Sequence, residues 1–100
     1  MPVSIIFVNP TNNGSVSVSG GQFTVVFDTK ETTVPPTANV LVSMTPLSGN
    51  PSGQPVLLDQ ATQHYRHTWV FSAPASLPAS ATLIVSVFGV QNQISFTITP

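Results

Sequence analysis

The chain has 100 residues, 41% of them hydrophobic, but only two Lys or Arg and three Asp or Glu, for a formal net charge of −1. That is enough apolar surface for one core and one domain. Two cations exclude the basic face that nucleic acids and anionic membranes require. Cysteine is absent, so no disulfide framework exists.

No apolar stretch approaches the length that spans a bilayer, and Met1-Pro2-Val3 opens directly into a strand pattern, so neither a membrane span nor an export signal is expected within the chain. Charge at 5% lies far below the roughly 25% of an ordinary soluble domain. Weak colloidal repulsion is tolerable in a dilute or tethered domain. The composition therefore points to an extracellular or cell-surface module embedded in a longer chain.

In chain order, Val3-Ser4-Ile5-Ile6-Phe7-Val8 is β-branched and aromatic and stops at Asn9-Pro10, a strand and a turn. Asn12-Asn13-Gly14 supplies residues that tolerate positive φ, and a short alternating segment, residues 15–19, ends at Gly20-Gly21. Residues 22–28 place Phe23, Val25 and Phe27 on one face of a strand. Residues 29–37 hold two of the five charges, Lys30 and Glu31, and Pro35-Pro36, and read as a loop. Ala38, Val40, Val42 and Met44 alternate along the next strand, and residues 46–55 form a connection rich in Gly and Pro.

Val56-Leu57-Leu58 reads as a brief edge strand, where Pro55 loses nothing by lacking an N–H. Residues 64–72 sort into His64, Arg66, Thr68 and Val70 on one face and Tyr65, His67, Trp69 and Phe71 on the other, the aromatic face inward. Residues 74–79, with Pro74 and Pro78, make a corner between sheets. Residues 82–88 and 93–99 are two further strands joined by a hairpin over Gly89 to Asn92. Seven or eight short strands at regular spacing without helical periodicity predict an all-β, antiparallel sandwich, with Phe23, Val25, Phe27, Trp69, Phe71, Val85 and Phe96 in its core.

The full length resembles the bacterial immunoglobulin-like modules of surface and secreted proteins. The resemblance is carried by Asn9-Pro10 with Gly14, by Gly20-Gly21 leading into Phe23-Thr24-Val25-Val26-Phe27-Asp28, by Trp69-Val70-Phe71, and by Ala73-Pro74 and Leu77-Pro78 before Ala81-Thr82-Leu83-Ile84-Val85-Ser86-Val87. Ile94-Ser95-Phe96-Thr97-Ile98-Thr99 closes the pattern. The resemblance implies an immunoglobulin-like sandwich serving as a structural module. Small periplasmic copper-binding proteins share the pattern, but their N-terminal His and Asp-x-His-Pro motif are missing, the corresponding segment being Val90-Gln91-Asn92-Gln93.

Candidate chemistry is sparse. His64 and His67, three apart, fall on opposite faces of a strand, and a shared metal would need a bulge. Asp28 and Glu31 could share a loop, but their spacing fits no recognised calcium loop; Asp28 is read as a turn cap and Glu31 as solvated opposite Lys30. His64 is expected to be exposed and His67 to pack beside Trp69. Asn13-Gly14-Ser15 is a formal glycosylation sequon whose expected role is conformational.

Tyr65 and Trp69 would stand about 13 Å apart on one face, a spacing that suits two subsites of a polysaccharide. Trp69 is assigned to the core, whereas Tyr65 is open to either role. Tyr65, Lys30 and Glu31 are the candidate ligand-binding residues, with no catalytic residue, metal or cofactor expected. Two functions follow. One is a non-catalytic spacer between neighbouring domains of the same chain, linked at both ends, Pro100 beginning a linker. The other is a binding module recognising carbohydrate or a protein partner through residues 29–37 and 46–55. Those loops hold no aromatic anchor, which favours the spacer.

Overall fold

The computed structural model of the chain describes residues 3–30, the strand at 38–43, and residues 49–100. These hold nine strands and no helix: β1 (Ser4–Asn9), β2 (Gly14–Ser17), β3 (Gln22–Lys30), β4 (Ala38–Ser43), β5 (Gly49–Pro51), β6 (Val56–Asp59), β7 (His64–Ser72), β8 (Ala79–Val87) and β9 (Val90–Thr99). The eight strands expected are present, and β5 is a three-residue addition inside the Gly- and Pro-rich connection.

One sheet runs β1-β3-β7-β5 with β6 also on β7; the other runs β2-β9-β8-β4. β5 and β6 lie on the same edge of β7, opposite Trp69 to Phe71 and His64 to Arg66, and form two halves of one interrupted strand. Counted so, the strand order is that of an immunoglobulin-like sandwich. One pairing departs from the antiparallel expectation: β2 runs parallel to β9, Gly14 opposite Phe96 through Ser17 opposite Thr99. The cause lies at Asn9-Pro10, where the chain leaves β3 and crosses to the second sheet without reversing direction.

The crossing also fixes where the chain enters and leaves. The Asn92 side-chain amide donates to the Ile5 carbonyl at 3.1 Å, near the start of both β1 and β9, whereas Ser17 lies beside Thr99. Val3 and Thr99 therefore sit at opposite ends of a body 42 Å long and 22 by 20 Å across.

Alternation puts the core where the pattern requires it. Phe23, Val25 and Phe27 of β3 and Phe71 of β7 meet Leu83, Val85, Phe96 and Ile98 from the other sheet, and all are buried. Phe23 stacks on Phe71 with centroids 5.6 Å apart and tilts against Phe96 at 6.2 Å. Trp69 differs from the expected core residue. It points inward and stacks on Phe71 at 6.2 Å but is only partly buried, because it faces the thin β5 edge where Pro51 is its cross-strand neighbour. Residues 73–78 cross between the sheets, as their prolines suggested, with Leu77 packed on the core.

Turn chemistry follows the glycines in two places. Gly20 and Gly21 both have positive φ, 60° and 76°, closing the tight link between β2 and β3. Asn13 takes φ 64° and donates its N–H to the Ser95 carbonyl at 2.7 Å, so the sequon sits in a conformational role.

Candidate functional site

Cross-strand register assembles the polar groups. In the first sheet Ile6, Asp28, Arg66 and Val56 form one row across β1, β3, β7 and β6. Asp28 belongs to the outer face, because Phe27 and Thr29 on either side of it point inward. Even so it is only 4% exposed. Arg66 lies over it, donating from Nε to Oδ1 at 2.9 Å and from Nη2 to Oδ2 at 3.1 Å, and His64 Nε2 reaches Oδ2 at 2.8 Å.

Burial by itself would raise the Asp28 carboxyl, but the hydrogen bonds and charges of Arg66 and His64 outweigh it and hold the group below its ordinary 3.8. The same contacts raise the Arg66 guanidinium. Two expectations are corrected here. Asp28 is a strand residue in an ion-pair cluster instead of a turn cap, and His64 is part-buried against it instead of free in solvent. The cause is cross-strand: 36 and 38 residues separate the partners, and only the β3-β7 register brings them together.

On the inner face His67 is 4% exposed, hydrogen-bonds Thr29 Oγ1 through Nε2 at 2.9 Å, and stacks on Phe27 at 4.7 Å with ring planes 4° apart. Burial pushes it below its ordinary 6.5, partly opposed by the Asp28 charge. The two histidines occupy opposite faces of β7 as their spacing implied, each committed to a different partner.

This geometry limits the chemistry. Both Asp28 oxygens are occupied by Arg66 and His64, and among the described residues no hydroxyl hydrogen-bonds to His64. Among the described residues no group of three His, Asp or Glu side chains converges on a metal position.

Of the candidate ligand-binding residues, Tyr65 is 3% exposed on the inner face, with its hydroxyl 3.4 Å from Gln63 Oε1. It offers no stacking surface, and the two-subsite platform with Trp69 is not formed. Lys30 is half-buried at the end of β3, and Glu31 lies outside the described residues, as do most of residues 29–37.

One group the sequence pattern placed differently is Phe88. Its position after Val87 suggested the last residue of a strand. Instead β8 ends at Val87, and Phe88 and Gly89 form the turn, with φ 49° and 79°. Val87 and Val90 are direct partners, which leaves two residues for the loop and forces both into the left-handed region. The Phe88 ring is 57% exposed, so one turn does carry an aromatic.

Two surface hollows among the described residues are open and uncharged. The larger, about 370 Å³, lies on the outer face of the second sheet among Asn13, Ser80, Thr82, Ser95 and Thr97. The smaller, about 290 Å³, is lined by Gln22, Asn50, Ser52 and Ser72 with Pro51 and Val70. Neither contains a titratable side chain. Compared with protein-family models and with curated proteins, the chain finds no match, so its functional reading rests on these residues alone.

Proposed function

We propose that the domain is a non-catalytic spacer of a larger extracellular or cell-surface protein, holding its neighbours in the same chain apart. The observation that carries this is the direction of the terminal strands: β1 and β9 run the same way, so the chain enters and leaves at opposite ends of a 42 Å body. Tension applied between those ends loads the β1-β3 and β2-β9 ladders along their length, so their hydrogen bonds resist together instead of opening one by one. Further support comes from polar groups that are consumed internally: Asp28 by Arg66 and His64, His67 by Thr29.

The test has two arms. Single-molecule pulling at residues 3 and 99 is expected to release the domain in one step, and early release of β1 at low force would overturn the spacer. A glycan array and a pull-down from surface material, both with the full chain, are expected to return no specific ligand.

A second reading, recognition of a carbohydrate or protein through loops at one end, is favoured by Phe88. An exposed ring in a strained turn is the kind of anchor that interface hot spots use. Specific binding in either assay that disappears in Phe88→Asn would establish it in place of the spacer.

A further inference from the structure

Asn13-Gly14-Ser15 fits the Asn-x-Ser/Thr pattern of asparagine-linked glycosylation. The backbone of Asn13 is spent on its turn, with φ 64° and the N–H on the Ser95 carbonyl, and Gly14 closes the same turn by donating to the Thr11 carbonyl at 2.8 Å. Its side chain is not spent. Asn13 is exposed, and among the described residues nothing hydrogen-bonds to its amide. Two other asparagines differ: Asn12 Oδ1 accepts from the Ser95 N–H at 3.1 Å, and the Asn92 amide donates to the Ile5 carbonyl. A sugar on either of those would disturb a bond between distant segments, whereas on Asn13 it displaces only water.

The surroundings of Asn13 suit a sugar as well. It lines the larger hollow, about 370 Å³, together with the hydroxyls of Ser80, Thr82, Ser95 and Thr97. That volume lies at the small end of ligand clefts, which run to roughly 300–1,000 Å³.

We propose that Asn13 carries an asparagine-linked glycan whose first sugar seats in this hollow. The donor is a sugar activated as a diphosphate ester at its anomeric carbon. The bond from Asn13 Nδ2 to that carbon forms as the bond from the carbon to the ester oxygen breaks; the diphosphate leaves with the electron pair, and Nδ2 loses one proton. A sugar is itself a set of hydroxyls, so it replaces water on the four side chains where an apolar partner would strand them. It also supplies the bulk and hydration that a chain with 5% charged residues lacks. The inference rests on the extracellular reading, since this modification belongs to exported chains.

Secretion of the full chain behind an added export signal, from cells that carry asparagine-linked glycosylation, tests it. The secreted chain is expected to gain the mass of one glycan, and enzymatic release should leave its mark at residue 13. Asn13→Asp, which keeps a residue tolerant of the left-handed region, and Ser15→Ala should each abolish the modification, while Ser15→Thr should retain it. Removing the glycan from the parent should lower the Tm by about 4–8 °C, the worth of one net hydrogen bond. Thr82→Val with Thr97→Val should erase that difference and leave the unmodified chain nearly unchanged. A chain secreted without a glycan, a glycan that survives Asn13→Asp or Ser15→Ala, or an equal Tm with and without it would each overturn the proposal. Export is imposed by the added signal, so such a result counts against Asn13 alone and leaves the spacer role to the pulling experiment.

Discussion

Replacing Phe88 separates a fold residue from a surface anchor. A non-glycine side chain in the left-handed region costs roughly 1–2 kcal/mol, and Phe88 sits there with φ 49°. Against that, the ring gains something from burial: full burial of such a side chain is worth about 1.5–3 kcal/mol. With 57% of the residue exposed, less than half of that is realised, roughly 1 kcal/mol. The two contributions nearly cancel. Asn tolerates the left-handed region, so Phe88→Asn is expected within about 1 kcal/mol of the parent in stability. Phe23→Ala gives the contrast. That ring is 2% exposed, stacks on Phe71 and tilts against Phe96, and its loss should cost about 3–5 kcal/mol. In a domain of this size each kcal/mol moves the Tm by about 4–8 °C, so urea midpoints with an unchanged slope distinguish the two variants easily. A loss of more than about 2 kcal/mol in Phe88→Asn would refute this accounting, because it would mean that the ring is packed in a way its exposure does not reflect.

Trp69→Ala should cost about 2–3 kcal/mol, below the range for a fully buried aromatic, since the ring is only partly covered; its fluorescence should be partly quenchable by acrylamide, and either full protection or full quenching would contradict the geometry. Gly49→Ala should destabilise by about 1–3 kcal/mol because the added Cβ would overlap the Phe71 ring, and an unchanged urea midpoint would show that the ring moves aside at no cost. Acid should weaken the fold in two stages. Above pH 6.5 His67 is neutral folded and unfolded; below it the unfolded chain takes the proton first, so stability falls as pH drops from 6.5 towards the lowered folded value. Asp28 adds stability present above 3.8 and lost as pH falls further through its own depressed value. Urea melts across pH check both stages, and an identical upper slope in His67→Gln would remove His67 as its cause.

The alternation of side chains made the architecture legible, because period-2 burial leaves its mark in every strand. Phe23, Val25 and Phe27, or Tyr65, His67 and Phe71, could be assigned to the inner face without any knowledge of partners. What alternation cannot carry is register. Asp28 looked like a turn residue since nothing within ten positions of it calls for a buried carboxylate; its partners stand 36 and 38 residues away. The parallel β2-β9 pair was hidden for the same reason, as direction is set by how the chain crosses at Asn9-Pro10 and not by the composition of either strand. Phe88 was misplaced by one residue because a two-residue turn is defined by the Val87-Val90 pairing, and an aromatic next to Gly89 reads most simply as the end of a strand.

The two outer faces of the sandwich explain how so little charge suffices. On the second sheet the register aligns Ser80 with Thr97 and Ser15, and Thr82 with Ser95, so hydroxyls occupy neighbouring positions across three strands and water can satisfy each of them. That face needs no ion to stay wet. The first sheet is different: its outer row reads Ile6, Asp28, Arg66, Val56, apolar at both ends with the ion pair in the middle. Asp28 neutralises the one arginine of the chain there, and Lys30 stands two residues further along the same face of β3. Covering the hydroxyl face would require it to give up many hydrogen bonds to water. One sheet therefore holds its charge in a cross-strand ion pair, and the other stays wet through hydroxyls alone.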